Sequence, residues 1–188
     1  MFIATERTPN PATLKFLPGR QVMPDGGTAN FPDAAAAAAS PLAEALFALG
    51  GVTGVFFGAD FISVSKAEDA EWTELKPQVL ALLVEHFSAS APLFRDDEAP
   101  AEVATADDPA DAEIVHQIKT LIEEKVRPAV ARDGGDILYQ GFRDGVVYLR
   151  MQGACSGCPS ATMTLKQGIE NLLRYYIPEV VEVRPVAS

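Results

Sequence analysis

The chain of 188 residues has room for one large domain or two small ones, and its 48% hydrophobic and 22% charged residues are the composition of a globular protein, not a disordered one. A formal net charge of −11 argues against nucleic acid, whose affinity comes from lysine and arginine neutralising phosphates, and against an anionic membrane surface. No stretch approaches the roughly 20 consecutive apolar residues of a membrane helix, and the start, MFIATERTPNP, has the pattern of neither a secretory signal nor an arginine- and serine-rich transit peptide.

These features predict a cytoplasmic protein of bacterial type with no nucleic-acid and no membrane partner. Two cysteines are too few to staple a secreted scaffold. In a reducing cytosol a close pair points to metal or redox chemistry.

FIATERT and LKFLPG open the chain as two short strands, with TPNP and PDGG as turns. Ala34–Ala39 is a low-complexity run, either a helical extension or a tolerated insertion. Ser40 reads as an N-cap and Pro41 as the first helical residue, with Leu42, Ala45, Leu46 and Leu49 on one face. Gly50 and Gly51 stop that helix. VTGVFFG and DFISVSK, rich in β-branched and aromatic residues, read as a hairpin. A helix over roughly 71–88 follows, with Val79, Leu80, Leu83, Val84 and Phe87 at helical spacing. Pro77 either starts its main part or kinks it.

Residues 95–113 carry eight acidic residues against one arginine, with two prolines and almost no large apolar side chain. Such a run buries too little surface to order itself and reads as an extended linker. The expected organisation is two small mixed domains, 1–94 and 112–188, joined by an acidic flexible linker over 95–111, and the fold class is α+β. The second half reads helix, strand, strand, helix, strand. Ile114, Ile118, Leu121, Ile122 and Val126 mark the first helix, and DGGD (133–136) is a turn. ILYQGF and VVYLRMQ form a hairpin around Asp144-Gly145. After GACSGCPSA comes a helix with Leu165, Ile169, Leu172, Leu173 and Tyr176 on one face, then the strand VVEVRPV.

Cys155 and Cys158 are the only thiols and form C-x-x-C. This spacing lets both sulfurs point into one small volume, as two ligands of one metal centre require. Gly153 and Gly157 leave the loop free to curl. Pro159 suits a first helical turn, so both cysteines are expected at a helix N-terminus, where free N–H groups and the dipole favour thiolate. Three chemistries fit. A thioredoxin-like dithiol redox protein is one, although that fold needs further strands after the helix and only VVEVRPV remains. A zinc-clamped dimer is the second; His86 and His116 lie in unrelated places and read as helix-surface residues. The third is an iron–sulfur cluster bound by four thiolates. For zinc or a cluster, four thiolates require two chains in symmetric pairing.

The run DGGDI…GACSGCPSATMTLKQGIENLL, with the preceding VRPAV, strongly resembles the C-terminal domain of NifU-like proteins. TPNPATLKFLPG…SPLAEALFALGGVTGVFFGADFISVSK resembles the N-terminal domain of Nfu-type scaffolds. The resemblance implies a carrier, not an enzyme, that binds a [4Fe–4S] cluster between two chains through Cys155 and Cys158. A [2Fe–2S] cluster takes four cysteines as well. It further implies a homodimer when loaded, apo iron–sulfur proteins as recipients, and upstream assembly machinery as the source. The cysteine-rich first domain and the ferredoxin-like domain of full-length NifU have no counterpart in this sequence.

Other residues read as structural. Asp133 and Asp136 flank the glycine pair of a turn, Trp72, Phe56 and Phe57 belong to a core, and Lys166 and Arg150 are solvated charges or screen the charge of a bound cluster. No phosphate-binding or hydrolase motif is present.

Overall fold

A computed structural model describes residues 1–95 and 107–186. The chain divides between Ala101 and Glu102 into two compact units. Among the described residues no helix is long and apolar enough to cross a membrane. Each unit is a sheet with helices, the expected α+β class.

The first unit is a five-stranded antiparallel sheet in the order β1-β2-β5-β4-β3. Its strands are β1 (Ala4–Arg7), β2 (Thr13–Leu17), β3 (Ala29–Phe31), β4 (Val52–Phe57) and β5 (Ile62–Lys66). The expected β4–β5 hairpin is present, with Phe57 opposite Ile62. β3 has no counterpart in the sequence reading. Three residues are too few to show an alternating pattern, and the strand exists because it pairs with β4 and buries Ala29 and Phe31. The Phe31 ring meets Phe57 edge-on at 5.0 Å.

The alanine run forms a short helix, α1 (Ala34–Ala37), capped by the Asp33 carboxylate, which accepts from the Ala36 N–H at 2.8 Å. Ala37 lies in the core. Ser40 caps α2 (Pro41–Ala48), its Oγ accepting from the Ala43 N–H at 3.2 Å, with Pro41 at the start. α3 (Trp72–Ser88) carries Pro77 inside it and buries Leu75, Val79 and Leu83. Phe56 and Phe57 are buried, and Trp72 packs at the core margin.

In the second unit α4 (Ala112–Leu121) passes through a π-helical turn, Ile122–Val126, into α5 (Arg127–Arg132). The buried residues Ile118, Ile122, Val126 and Val130 recur every four positions. That spacing drifts round a regular helix of 3.6 residues per turn, and the wider π turn keeps it facing the sheet. The same widening accommodates Pro128, which has no N–H and whose ring crowds the carbonyl four residues back. Ile114 and Leu121, expected on the core face, are only partly buried. The sheet is β6-β7-β8, with β6 (Gly135–Arg143) antiparallel to β7 (Val146–Gly153) and β8 (Glu182–Val186) parallel to β7. Asp144 and Gly145 turn the hairpin with φ of 51° and 78°. α6 (Pro159–Tyr176) crosses from β7 to β8 and buries Ile169 and Leu173; Tyr176, expected inside, is exposed.

Residues 96–106 of the acidic segment lie outside the described residues. Its two described ends are each tied to one unit. Arg95 donates to the Ala38 carbonyl at 2.9 Å and pairs with Glu44. Asp107 accepts from the Tyr139 hydroxyl at 2.6 Å and faces Lys119 at 3.7 Å, and Pro109–Asp111 forms a 3-10 turn, not an extended strand.

Ile118→Ala is expected to lower the stability of the second unit by about 2–5 kcal/mol. Urea unfolding followed by circular dichroism checks it. The fluorescence of Trp72, the single tryptophan, is expected to report an unchanged transition for the first unit.

Candidate metal centre

The two cysteines lie on the loop between β7 and α6, and Cys158 is the N-cap of α6. The loop is closed by its own backbone. The Cys155 N–H donates to the Gln152 carbonyl at 3.3 Å, and the Ser156 N–H to the Gly153 carbonyl at 3.1 Å. Thr162, in the first turn of α6, binds both cysteine carbonyls. Its N–H reaches Cys158 at 2.9 Å and its Oγ1 reaches Cys155 at 3.2 Å. Gly153 and Gly157 take φ of 61° and 81°, which lets six residues reverse direction.

The loop is anchored to the start of β6. The Ala154 N–H donates to the Gly134 carbonyl at 3.1 Å. Gly135 lies under the Cys155 thiol: a Cβ there would overlap Cys155 Sγ and come within 2.7 Å of the Gln152 carbonyl and 2.9 Å of the Cys155 N. Asp136, next in the chain, is buried and forms a two-point ion pair with Arg127 of α5, Nε to Oδ1 at 2.9 Å and the second nitrogen to Oδ2 at 2.8 Å. Its Oδ1 also accepts from the Ile137 N–H at 2.8 Å. Arg127 holds Glu123 one turn earlier, at 2.7 Å. Asp136 is therefore structural, as read. The sequence reading did not assign the positioning roles of Gly135 and Arg127. The doubled glycine of DGGD and the arginine of VRPAV were their signals.

The two thiols are chemically unequal. Cys158 accepts hydrogen bonds from Ser160 and from the backbone N–H groups of Ser160 and Ala161, which hold its thiol below the ordinary value. Its Sγ is 3.5 Å from the Ser160 hydroxyl. Cys155 is the reverse. Burial pushes its thiol up to about 12, and the carboxylates of Asp133 and Asp136 add to this. The expectation that the helix end favours thiolate at both positions is corrected for Cys155. Its sulfur points back over Gly135, away from the helix N–H groups.

The remaining candidates are dispersed. His86 lies on α3 in the first unit and His116 on the exposed side of α4, so neither joins the cysteines. Lys166 faces Glu182 at 3.9 Å. Arg150 stands opposite Leu138 and Val186 in the sheet. Among the described residues no group of three or more histidine, cysteine, aspartate or glutamate side chains is placed to hold a metal ion. The two cysteines are thus candidate ligands with no third donor grouped beside them among the described residues.

Gly135→Ala is expected to displace the Cys155 side chain, because its sulfur and the loop backbone occupy the space of the added carbon. Faster alkylation of Cys155 in the variant, read by peptide mass spectrometry, checks this. In the unaltered apo-protein at neutral pH, iodoacetamide is expected to label Cys158 at least ~10-fold faster than Cys155, since thiolate is the nucleophile. Cys155 labelling rises only as pH approaches its raised value of about 12. Arg127→Ala is expected to cost about 3 kcal/mol, because Asp136 is left charged and buried; urea denaturation measures it.

The family model described as Scaffold protein Nfu/NifU N terminal matches residues 3–90, and the one described as NifU-like domain matches residues 118–184. The NFU1 iron-sulfur cluster scaffold homolog, mitochondrial, of Drosophila sechellia is 50% identical over 186 residues, covering 99% of this chain and 65% of that protein. NifU-like protein 5, mitochondrial, of Arabidopsis thaliana is 51% identical over 182 residues, covering 96% of this chain and 66% of that protein. The chain thus spans about two-thirds of the length of these relatives. A solved NifU-like protein from Saccharomyces cerevisiae is 25% identical, covers 52% of this chain and 87% of that one, and has a TM-score of 0.44. The relatives are named mitochondrial, which overturns the expectation of a cytoplasmic protein of bacterial type. Net charge and a low cysteine count do not distinguish the cytosol from the inside of a mitochondrion, so they could not tell one from the other. With both family models matched in order along the sequence, the chain belongs to the Nfu family of NifU-like proteins.

Proposed function

We propose that this chain carries an iron–sulfur cluster as cargo, with Cys155 and Cys158 as its ligands, and passes it to apo-proteins. The observation that carries the reading is the ligand set. The chain has two thiols on one loop, and among the described residues nothing stands ready as a third ligand. A cluster asks for four cysteines, so two copies of the loop, related by a two-fold axis, supply them. A [4Fe–4S] cluster suits this symmetry, and a [2Fe–2S] cluster would use the same four sulfurs. The relatives named as cluster scaffolds support the same class of role.

The domain roles follow the earlier division. Residues 112–188 hold the cluster, 95–111 connect, and 1–94, which contain no cysteine, contact clients or the machinery that supplies the cluster. Release proceeds by ligand exchange. Each client thiolate displaces one carrier sulfur from iron, and the freed cysteine takes up a proton. Cys158, the more exposed thiol, is the natural first sulfur to leave. Cys155 then returns to its neutral, buried state over Gly135.

Anaerobic reconstitution tests the reading. The expected product is brown, with about four irons and four sulfides per two chains and twice the mass of the apo chain. Cys155→Ser and Cys158→Ser are each expected to abolish stable loading while leaving the circular dichroism spectrum unchanged. A loaded monomer with four irons and no added thiol would sink the shared site, and a colourless metal-bound dimer would assign zinc.

A further inference from the structure

We infer that the exposed face of α6, beginning next to Cys158, is where a second copy of this chain packs when the two cysteine loops meet; the inference rests on the shared-cluster reading above. The face runs through Ser160, Met163, Thr164, Gln167, Gly168 and Asn171, all exposed and all uncharged. These positions recur at three- and four-residue steps, so they form one stripe along the helix. Two other helices carry charge on their exposed sides. The exposed sides of α3 and α4 carry Glu74, Glu85, Glu113 and Lys119. On α6 the charged residues near the loop turn to the other side, where Lys166 faces Glu182 and Glu170 accepts from the Val183 N–H at 3.1 Å.

Three details suit the stripe to a protein surface rather than to water. Met163 is 71% exposed, an apolar side chain left open one turn from a ligand. The polar groups satisfy one another, with Gln167 donating to Asn171 at 3.1 Å and Thr164 to the Ser160 carbonyl at 3.1 Å. At Gly168 an added Cβ would meet nothing within 4 Å, so the bare backbone is open to close approach.

Symmetry selects the occupant. A cluster held by two loops brings both Cys158 residues to one small centre, and the residues that follow lie beside the two-fold axis. There each side chain meets its own counterpart. Any charge would meet the same charge at short range, which weakens pairing at least ~10-fold. An uncharged stripe is what self-pairing requires. A different protein docking on this acidic chain would gain from charge here, because opposite fields speed and orient encounter.

The full-length chain carrying Met163→Lys or Met163→Glu tests this. Both variants are expected to keep the helical spectrum and urea midpoint of the apo chain, since the side chain is exposed. On anaerobic reconstitution each alone is expected to dimerise at least ~10-fold more weakly, the cost of one like-charge contact, and to take up less iron. An equimolar mixture is expected to restore iron per chain and to give heterodimers by native mass spectrometry, since lysine then faces glutamate. If Lys strengthens loading while Glu weakens it, and mixing rescues nothing, the position acts through the charge of the cluster and the inference fails. If both load and dimerise as the unaltered chain does, the face is not the interface. Loss only of transfer to an apo-[4Fe–4S] ferredoxin would then assign it to clients. Variants that take up no iron even when mixed also overturn it. Four irons on a monomer of the unaltered chain is a separate result, which removes the shared-cluster reading itself.

Discussion

The Cys155 thiol rests on the α-carbon of Gly135, and the candidate site depends on that contact. No other residue fits, because a Cβ would collide with the sulfur and with the loop backbone at Gln152 and Cys155. The contact does not stand alone. Gly134 accepts the Ala154 N–H, and Asp136 is held on two points by Arg127. Three consecutive residues therefore tie the loop to β6 and β6 to α5. A bidentate arginine–carboxylate pair with a buried partner fixes orientation as well as distance. The ligand loop is short and contains glycine, yet its base is set by the packed part of the second unit.

The inequality of the two thiols has consequences for cargo. Cys158 is a partly exposed thiol stabilised as thiolate by the first turn of α6, whereas Cys155 is sheltered and neutral. Metal binding requires both as thiolates. On the shared-cluster reading, binding would require Cys155 to give up its proton, against the burial that holds the thiol neutral. Such opposition weakens holding without removing specificity.

Local chemistry was legible in the sequence. The Ser40 cap with Pro41, the Asp144-Gly145 turn and the cysteines at a helix start are all decided by residues within one turn of each other. What escaped depends on distant partners. β3 is a strand only because β4 offers an edge, and the π turn of the α4–α5 helix reflects Pro128 and a four-residue core spacing together. Cys155 is packed against a glycine twenty positions earlier, and its raised thiol owes part of its shift to the carboxylates on either side of that glycine. A spacing rule for C-x-x-C cannot hold that information. The parallel placement of β8 beside β7 likewise follows from the crossover of α6, which brings the chain back over the sheet.

The distribution of charge bears on how two such chains could share anything. The whole chain is strongly acidic at −11, yet residues 114–188 carry eight acidic and nine basic side chains, a net of +1. The acidity therefore lies in the first 113 residues, with eight of its carboxylates between residues 95 and 113. Repulsion between exposed charges fades beyond about 8 Å at physiological salt, so charge matters most where surfaces touch. Counted from Glu102, the second unit carries thirteen acidic and nine basic side chains, a net of −4, so its negative charge comes from the residues before Ile114. Had the acidity been spread evenly, each approach of two loops would have carried like charge into the contact. Concentrating it upstream of Ile114 leaves the chain well charged for solubility and the segment that bears Cys155 and Cys158 nearly neutral.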